Sequence, residues 1–391
     1  MSRPSLEVAD VLGAAAASGR KFSWLTWLHL KVLAAILRCR TPLLGGHQDA
    51  CTQCGHQAIS YNSCRNRHCP KCQVATRDRW IEARSHDLLP TPYVHVVFTL
   101  PHQLAPLALQ NKQAVYDLLF RASSEALLKI ARDPQHLGAE IGFFSILHTW
   151  SQQLLHHPHV HCVIPAGGLS ADHSRWIGSH PSFFLPVRAL MRVFRRKIVL
   201  GLRRLHAKGQ LEFHGSLSGL QSRRAFGALL RSLYRKDWVV YCKRPFGGAE
   251  HVIHYLGRYT HRVAISNQRL VKLEDGRITF RWRDSAHKNK KRFMTLKAEE
   301  FFRRFLLHVL PPGFVRIRYF GLFAHRNRNR LLPVCLNLLV TTAPRPCAPT
   351  ASRPPLTWSC PQCGAPMIVQ QRFTAVQLRL RSPPAQELPA L

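Results

Sequence analysis

Acidic residues are scarce in this chain: 20 Asp and Glu stand against 56 Lys and Arg in 391 residues, a formal charge of +36. The few carboxylates are scattered, which excludes the clustered carboxylates of a two-metal nuclease; Asp284 and the Glu299-Glu300 pair read as structural. Long apolar runs are also missing. The best candidate, residues 22–37, contains His29 and Lys31 and is shorter than the ~20 residues of a bilayer span, so it reads as an amphipathic helix. No signal peptide is expected at the start, no membrane partner follows, and no internal repeat is read; the two CxxC-containing ends look too unlike to count as one.

What is abundant is positive charge, and a surplus of this size calls for a polyanion. Basic residues spread from Arg20 to Arg381 and are interleaved with aromatics instead of lining one helix, which favours nucleic acid over a membrane surface. Ribosomal and other RNA-binding proteins share such a composition, so charge alone names no reaction. The length suggests two or three units. Residues 1–85 are rich in Cys, His and Arg; residues 86–330 alternate strand-like and helix-like patterns; residues 331–391 turn basic and Pro-rich, a composition expected to be partly disordered.

Within the middle region, residues 94–100 (VHVVFTL) predict a buried strand, followed by a helix, then strands at 142–150 and 159–164 that suit antiparallel neighbours. Helices are expected at 186–208, 219–235 and 249–259, and further strands at 238–242, 263–270 and 277–283. Few strands among long helices make the fold class α+β.

Three constellations carry chemistry. The first is CTQCGHQAISYNSCRNRHCPKC, in which fourteen residues separate the pair Cys51 and Cys54 from the pair Cys69 and Cys72. Two CxxC pairs offer four thiolates, the tetrahedral set that structural Zn²⁺ prefers, with no position left open for substrate. Cys64, His68 and His56 lie close enough to replace a member. Flanking Arg65, Arg67, Lys71, Arg77 and Arg79 would make this segment a DNA-contacting surface. The remaining cysteines, Cys39 among them, read as buried thiols, and the Cys360/Cys363 pair needs partners from elsewhere.

The second is HHPHVHCVIPAGG. Residues i and i+2 of a strand share a face, so His159 and His161 can hold one cation while Val160 points into the core. His148, on the preceding strand, ranks first as third ligand; Gln152, His251 and His254 are the other candidates. The third is HYLGRYTHR: on a helix Tyr255 and Tyr259 share a face, and Arg258 and Arg262 could hold a phosphate and ease deprotonation of a phenol whose ordinary pKa is about 10. Together these parts suit phosphodiester transesterification, in which a tyrosine oxygen attacks phosphorus and a covalent phosphotyrosine preserves the bond for rejoining.

On these residues the chain resembles the rolling-circle insertion-sequence transposases of the two-tyrosine, His-hydrophobic-His class, the bacterial family numbered ninety-one. The resemblance runs from YNSCRNRHCPKCQ through HVVFTLP, LHTWSQQLLHHPHVHCVIPAGG and WVVYCKRPFGG to YLGRYTHRVAISNQRL and FVRIRYFGLFAHRNR, and fades after about residue 335. It implies an antiparallel-sheet endonuclease palm with inserted helices, preceded by a small zinc-binding domain. It implies Mg²⁺ or Mn²⁺ at His159 and His161, and Tyr255 and Tyr259 as nucleophiles acting in turn on single-stranded element ends, each leaving a 5′-phosphotyrosine. A bacterial cytoplasmic, nucleoid-associated location goes with it. A replication initiator or relaxase would share this chemistry, whereas a non-catalytic zinc-finger protein would need the charge and cysteines but no tyrosine pair.

Overall fold

The computed structural model describes residues 5–20, 22–85, 87–235, 237–243, 263–284, 287, 289–340 and 358–381. The chain forms two compact units: Met1–Thr76, His261–Val309 and Pro346–Leu391 make the first, Arg77–Thr260 and Leu310–Arg345 the second. From composition the chain divides at residues 85 and 330. Composition reads contiguous blocks, but the first unit is assembled from three separated segments. All its sheets and those of the second unit are antiparallel, and the fold is α+β.

The second unit is built on a five-stranded sheet, in the order Ile317–Gly321, Gly142–Trp150, His156–Pro165, Tyr93–Thr99, Val240–Cys242. Its central strands are buried on both faces, which is why apolar residues occupy both parities along them instead of strictly alternating with exposed polar ones. One face sets Val94, Val96, Phe98, Leu147, Val160, Cys162 and Ile164 into the main core with the 21-residue helices Lys112–Arg132 and Val187–Ala207. Those helices approach closely at Gly201, where a Cβ would stand 2.2 Å from Leu118 Cδ1, so any larger residue overpacks the contact. The opposite face carries a smaller cluster of Tyr93, Phe144, Ile146 and Val163, and, further along the same strands, the histidines.

In the first unit the helices Val8–Ala17 and Trp27–Arg38 accompany the helix Ala298–Leu307, and Phe22 stacks on Phe302 at 4.8 Å. Thr26 caps the second helix by accepting the His29 N–H. A basic three-stranded sheet runs Lys290–Lys297, Arg277–Asp284, Leu270–Glu274, and another runs Met367–Phe373, Gly46–Cys51, Gln57–Tyr61.

Two expectations are corrected here. The strand expected at 263–270 begins only at Leu270, because Ala264 adopts φ of 58° and a 3₁₀ turn occupies Asn267–Arg269. The tail is not a region apart: the helix His325–Val340 runs into it, and Met367–Phe373 is an edge strand paired with Gly46–Cys51. The helix expected at 249–259 lies outside the described residues. Among the described residues no helix is long and apolar enough to cross a membrane.

Candidate metal centre and thiolate clusters

Register builds the histidine site. In the antiparallel pairing of Gly142–Trp150 with His156–Pro165, His148 stands directly opposite His159, and Ile146 opposite His161. Directly opposed residues point to one face, so His148, His159 and His161 converge, and one ligand nitrogen from each lies within 4.8 Å of the others. Ring centroids are 4.3 Å apart for His148 and His161, 4.8 Å for His159 and His161. Gln152 lies in the loop joining these strands; His251 and His254 lie outside the described residues.

The surroundings prepare these rings as ligands. Burial pushes the His159 pKa down to about 4, and burial together with His148, His159 and His95 holds His161 well below the ordinary value, so both are neutral at pH 7 with a lone pair to offer. The His157 carbonyl is 2.7 Å from His159 Nδ1; a carbonyl only accepts, so that nitrogen carries the proton and the lone pair is on Nε2. Trp150 stacks on His148 at 4.4 Å.

His95 was not anticipated from sequence. It lies on the neighbouring strand, buried, with its Nε2 2.8 Å from His161 Nδ1 and its ring parallel to that of His161. Its burial, with Lys243 and His159 nearby, lowers its pKa to about 3. The signal was available: His95 is the one polar residue inside VHVVF, and strand parity puts it on the face of the His-Val-His motif.

The cysteines sort differently from their spacing. Cys51, Cys54, Cys69 and Cys72 do not form one site. Cys39, Cys64, Cys69 and Cys72 form one group and Cys51, Cys54, Cys360 and Cys363 another, the ligand atoms of each lying within 4.8 Å of one another. The correction follows from local structure: Cys69 and Cys72 sit at the start of the helix Pro70–Ser85, while Cys51 ends a strand and turns away through Gly55 at φ of 70°. In the first group Cys72 Sγ is 3.5 Å from Cys39 Sγ and 3.6 Å from Cys64 Sγ. The Cys39, Cys64 and Cys69 thiols hold Cys72 well below the usual thiol range, and Cys64 and Cys69 bring Cys39 down to about 7. Cys39, expected to be an inert thiol, is a full member. Neither His68, buried against Asn66, nor His56 belongs to either group. Four thiols at tetrahedral spacing suit Zn²⁺.

Of the expected DNA-contacting residues, Arg65 and Arg67 are exposed. Lys71 is not available: it is buried in an ion pair with Glu7 at 2.5 Å and donates to the Cys39 carbonyl, so its charge is spent within the fold. Tyr255, Arg258, Tyr259 and Arg262 lie outside the described residues.

Comparison with known proteins identifies two domains in the chain. A family model described as "Putative transposase" matches residues 142–330, and one described as "Transposase zinc-binding domain" matches residues 15–100. The Sinorhizobium fredii protein named "Putative transposase y4qJ" is 52% identical over 347 residues, covering 88% of this chain and 87% of its own length. The "Transposase for insertion sequence element IS801" of Pseudomonas savastanoi pv. phaseolicola is 28% identical over 355 residues, 87% of this chain and 83% of its own. The chain belongs to the IS91-type insertion-sequence transposases, DNA-cleaving enzymes in which a zinc-binding domain precedes the transposase domain.

Proposed function

We propose that the protein cuts and rejoins single DNA strands in rolling-circle transposition, with Tyr255 and Tyr259 as nucleophiles and a divalent cation at His148, His159 and His161. The observation that carries this reading is the convergence of three imidazoles on one sheet face, two of them kept neutral by burial. Bound there, a cation would withdraw charge from a non-bridging phosphate oxygen and orient the scissile strand. Of Mg²⁺ and Mn²⁺, Mn²⁺ suits three nitrogen donors better, because Mg²⁺ demands oxygen.

The tyrosine oxygen forms a bond to phosphorus as the bond to the 3′ oxygen breaks; the phenol gives up its proton and the leaving 3′ oxygen gains one. The products are a 5′-phosphotyrosine and a free 3′-hydroxyl, and reversal onto another 3′-hydroxyl rejoins DNA without an external energy source. Two tyrosines let one hold the donor strand while the other cuts the target. Arg258 and Arg262 neutralise phosphate beside them, and Arg65 and Arg67 hold the DNA backbone. His95 is a positioning residue: with His161 ligating through Nε2, the Nδ1–H donates to His95 and fixes the ring. The bacterial cytoplasm is where such a reaction meets its DNA.

The test replaces Tyr255 and Tyr259 with Phe, singly and together, and follows protein covalently attached to a single-stranded oligonucleotide. Each single variant should retain adducts and the double variant none; adducts that persist in the double variant overturn the nucleophile assignment. His159→Ala should abolish nicking.

A further inference from the structure

We propose that the protein binds a second structural Zn²⁺ through Cys51, Cys54, Cys360 and Cys363, and that this ion fastens the segment 358–381 to the sheet of the first unit. The matched zinc-binding domain ends at residue 100, so it contains only half of these ligands. The inference is independent of the tyrosine reading above.

Geometry carries it. Cys51 Sγ is 3.4 Å from Cys363 Sγ, and Cys54 Sγ is 3.5 Å from both Cys360 Sγ and Cys363 Sγ. Zn–S bonds of ~2.3 Å place the corners of a tetrahedron ~3.8 Å apart, close to these spacings and far from a disulfide's ~2.05 Å. Both halves have the same local form. CTQCG and CPQCG each end in a left-handed glycine, Gly55 at φ of 70° and Gly364 at φ of 78°. In the first, the N–H groups of Gln53 and Cys54 point at Cys51 Sγ at 3.4 and 3.5 Å; in the second, the Gln362 N–H points at Cys360 Sγ at 3.4 Å. Backbone N–H groups aimed at sulfur stabilise a thiolate, the ligand form. The two ends of the chain, too unlike over their length to be a repeat, are alike over these five residues.

Packing says why an ion is needed. The apolar cluster at this place is only Cys51, Cys360, Ala365 and Met367, with Ala58 against it, so two of its four members are ligands. On the attached segment Ile368, Val369 and Val376 are exposed. Phe373 and Leu378 bury the far end of the segment, but at this end the core is small, and a metal clip that closes the long loop here would complete the attachment to a strand some three hundred residues away in sequence.

Zinc is counted in the full-length protein by native mass spectrometry, and thiol alkylation is mapped by peptide with and without chelator. Two ions per chain are expected, falling to one in C360S/C363S and to one in C39S/C64S. Cys54 and Cys363 are exposed, so burial cannot protect them; in the zinc-loaded protein they should alkylate at least tenfold more slowly than after chelation. One ion in the wild type, free-thiol alkylation rates at Cys54 and Cys363 in the loaded protein, or a mass about 4 Da low from two disulfides with no second zinc would each overturn the proposal. The wild-type count and alkylation pattern decide the matter even if a variant fails to fold.

Discussion

The histidine centre and the Cys51/Cys360 cluster are opposite ways of making a metal site. The histidines sit on paired strands in the middle of a sheet whose core is complete without them; the rings are placed by register, and an ion bound there would be a guest. The thiols sit at the rim of a three-stranded sheet, where two of the four members of the small apolar cluster are themselves thiols of the site. A site of the first kind should lose chemistry when its ion goes; one of the second kind should lose structure.

The comparison breaks most visibly under chelation. Structural zinc in small domains supplies roughly 10 to 16 kcal/mol of binding free energy that is also folding free energy. Stripping metal should therefore abolish hydrogen-exchange protection in residues 46–51 and 367–373 while leaving 93–99 and 142–165 protected. Loss of protection in both sheets would remove the distinction. The converse variant, His159→Ala, should take nicking to background with exchange protection of the five-stranded sheet retained.

Acid sharpens the contrast further. His159 and His156 are lowered to about 4 and His95 to about 3, chiefly by burial. Between the ordinary value near 6.5 and these folded-state values the unfolded chain binds more protons than the folded one. Their contribution is thus fully present above pH 6.5 and lost as pH falls toward 4, on the order of 3 kcal/mol for His159 alone. Metal-free protein followed by urea denaturation from pH 7 to 4.5 should show that decline, and a flat profile would place these rings in water. Smaller still, His95→Ala should weaken Mn²⁺ binding by about 10- to 100-fold in a calorimetric titration, the usual cost of removing a ligand's supporting partner. Smallest of all, Arg65→Ala should lower the slope of log affinity against log salt for DNA by about one, with both metal counts unchanged.

Much of the five-stranded sheet was legible in the chain. Apolar runs bounded by Pro and Gly gave the strands at 94–100 and 142–150, and two-residue periodicity paired His159 with His161. Even the placement of His148 followed from assuming that consecutive strands pair. The thiolate clusters were not legible in the same way. Spacing sees neighbours along the chain, and each of the eight thiols has a cluster partner that only folding brings near: Cys39 lies twenty-five residues before Cys64, and Cys360 meets Cys54 across three hundred. Lys71 misled for a related reason. Its charge reads as available to DNA until Glu7, far away in sequence, is seen to neutralise it. At 263–270 a strand-like run was overridden by the left-handed Ala264, for which the sequence carries no marker.

The pairing of Gly46–Cys51 with Met367–Phe373 also sets an order of events during synthesis. The earlier strand must wait for a partner made some three hundred residues later, at 5 to 20 residues per second a delay on the order of tens of seconds. Throughout that interval Cys51 and Cys54 would offer only half of the proposed zinc's ligands. A nascent chain that has not yet reached Cys360 would carry every histidine of the five-stranded sheet and still lack two of the four thiols gathered at the strand Gly46–Cys51.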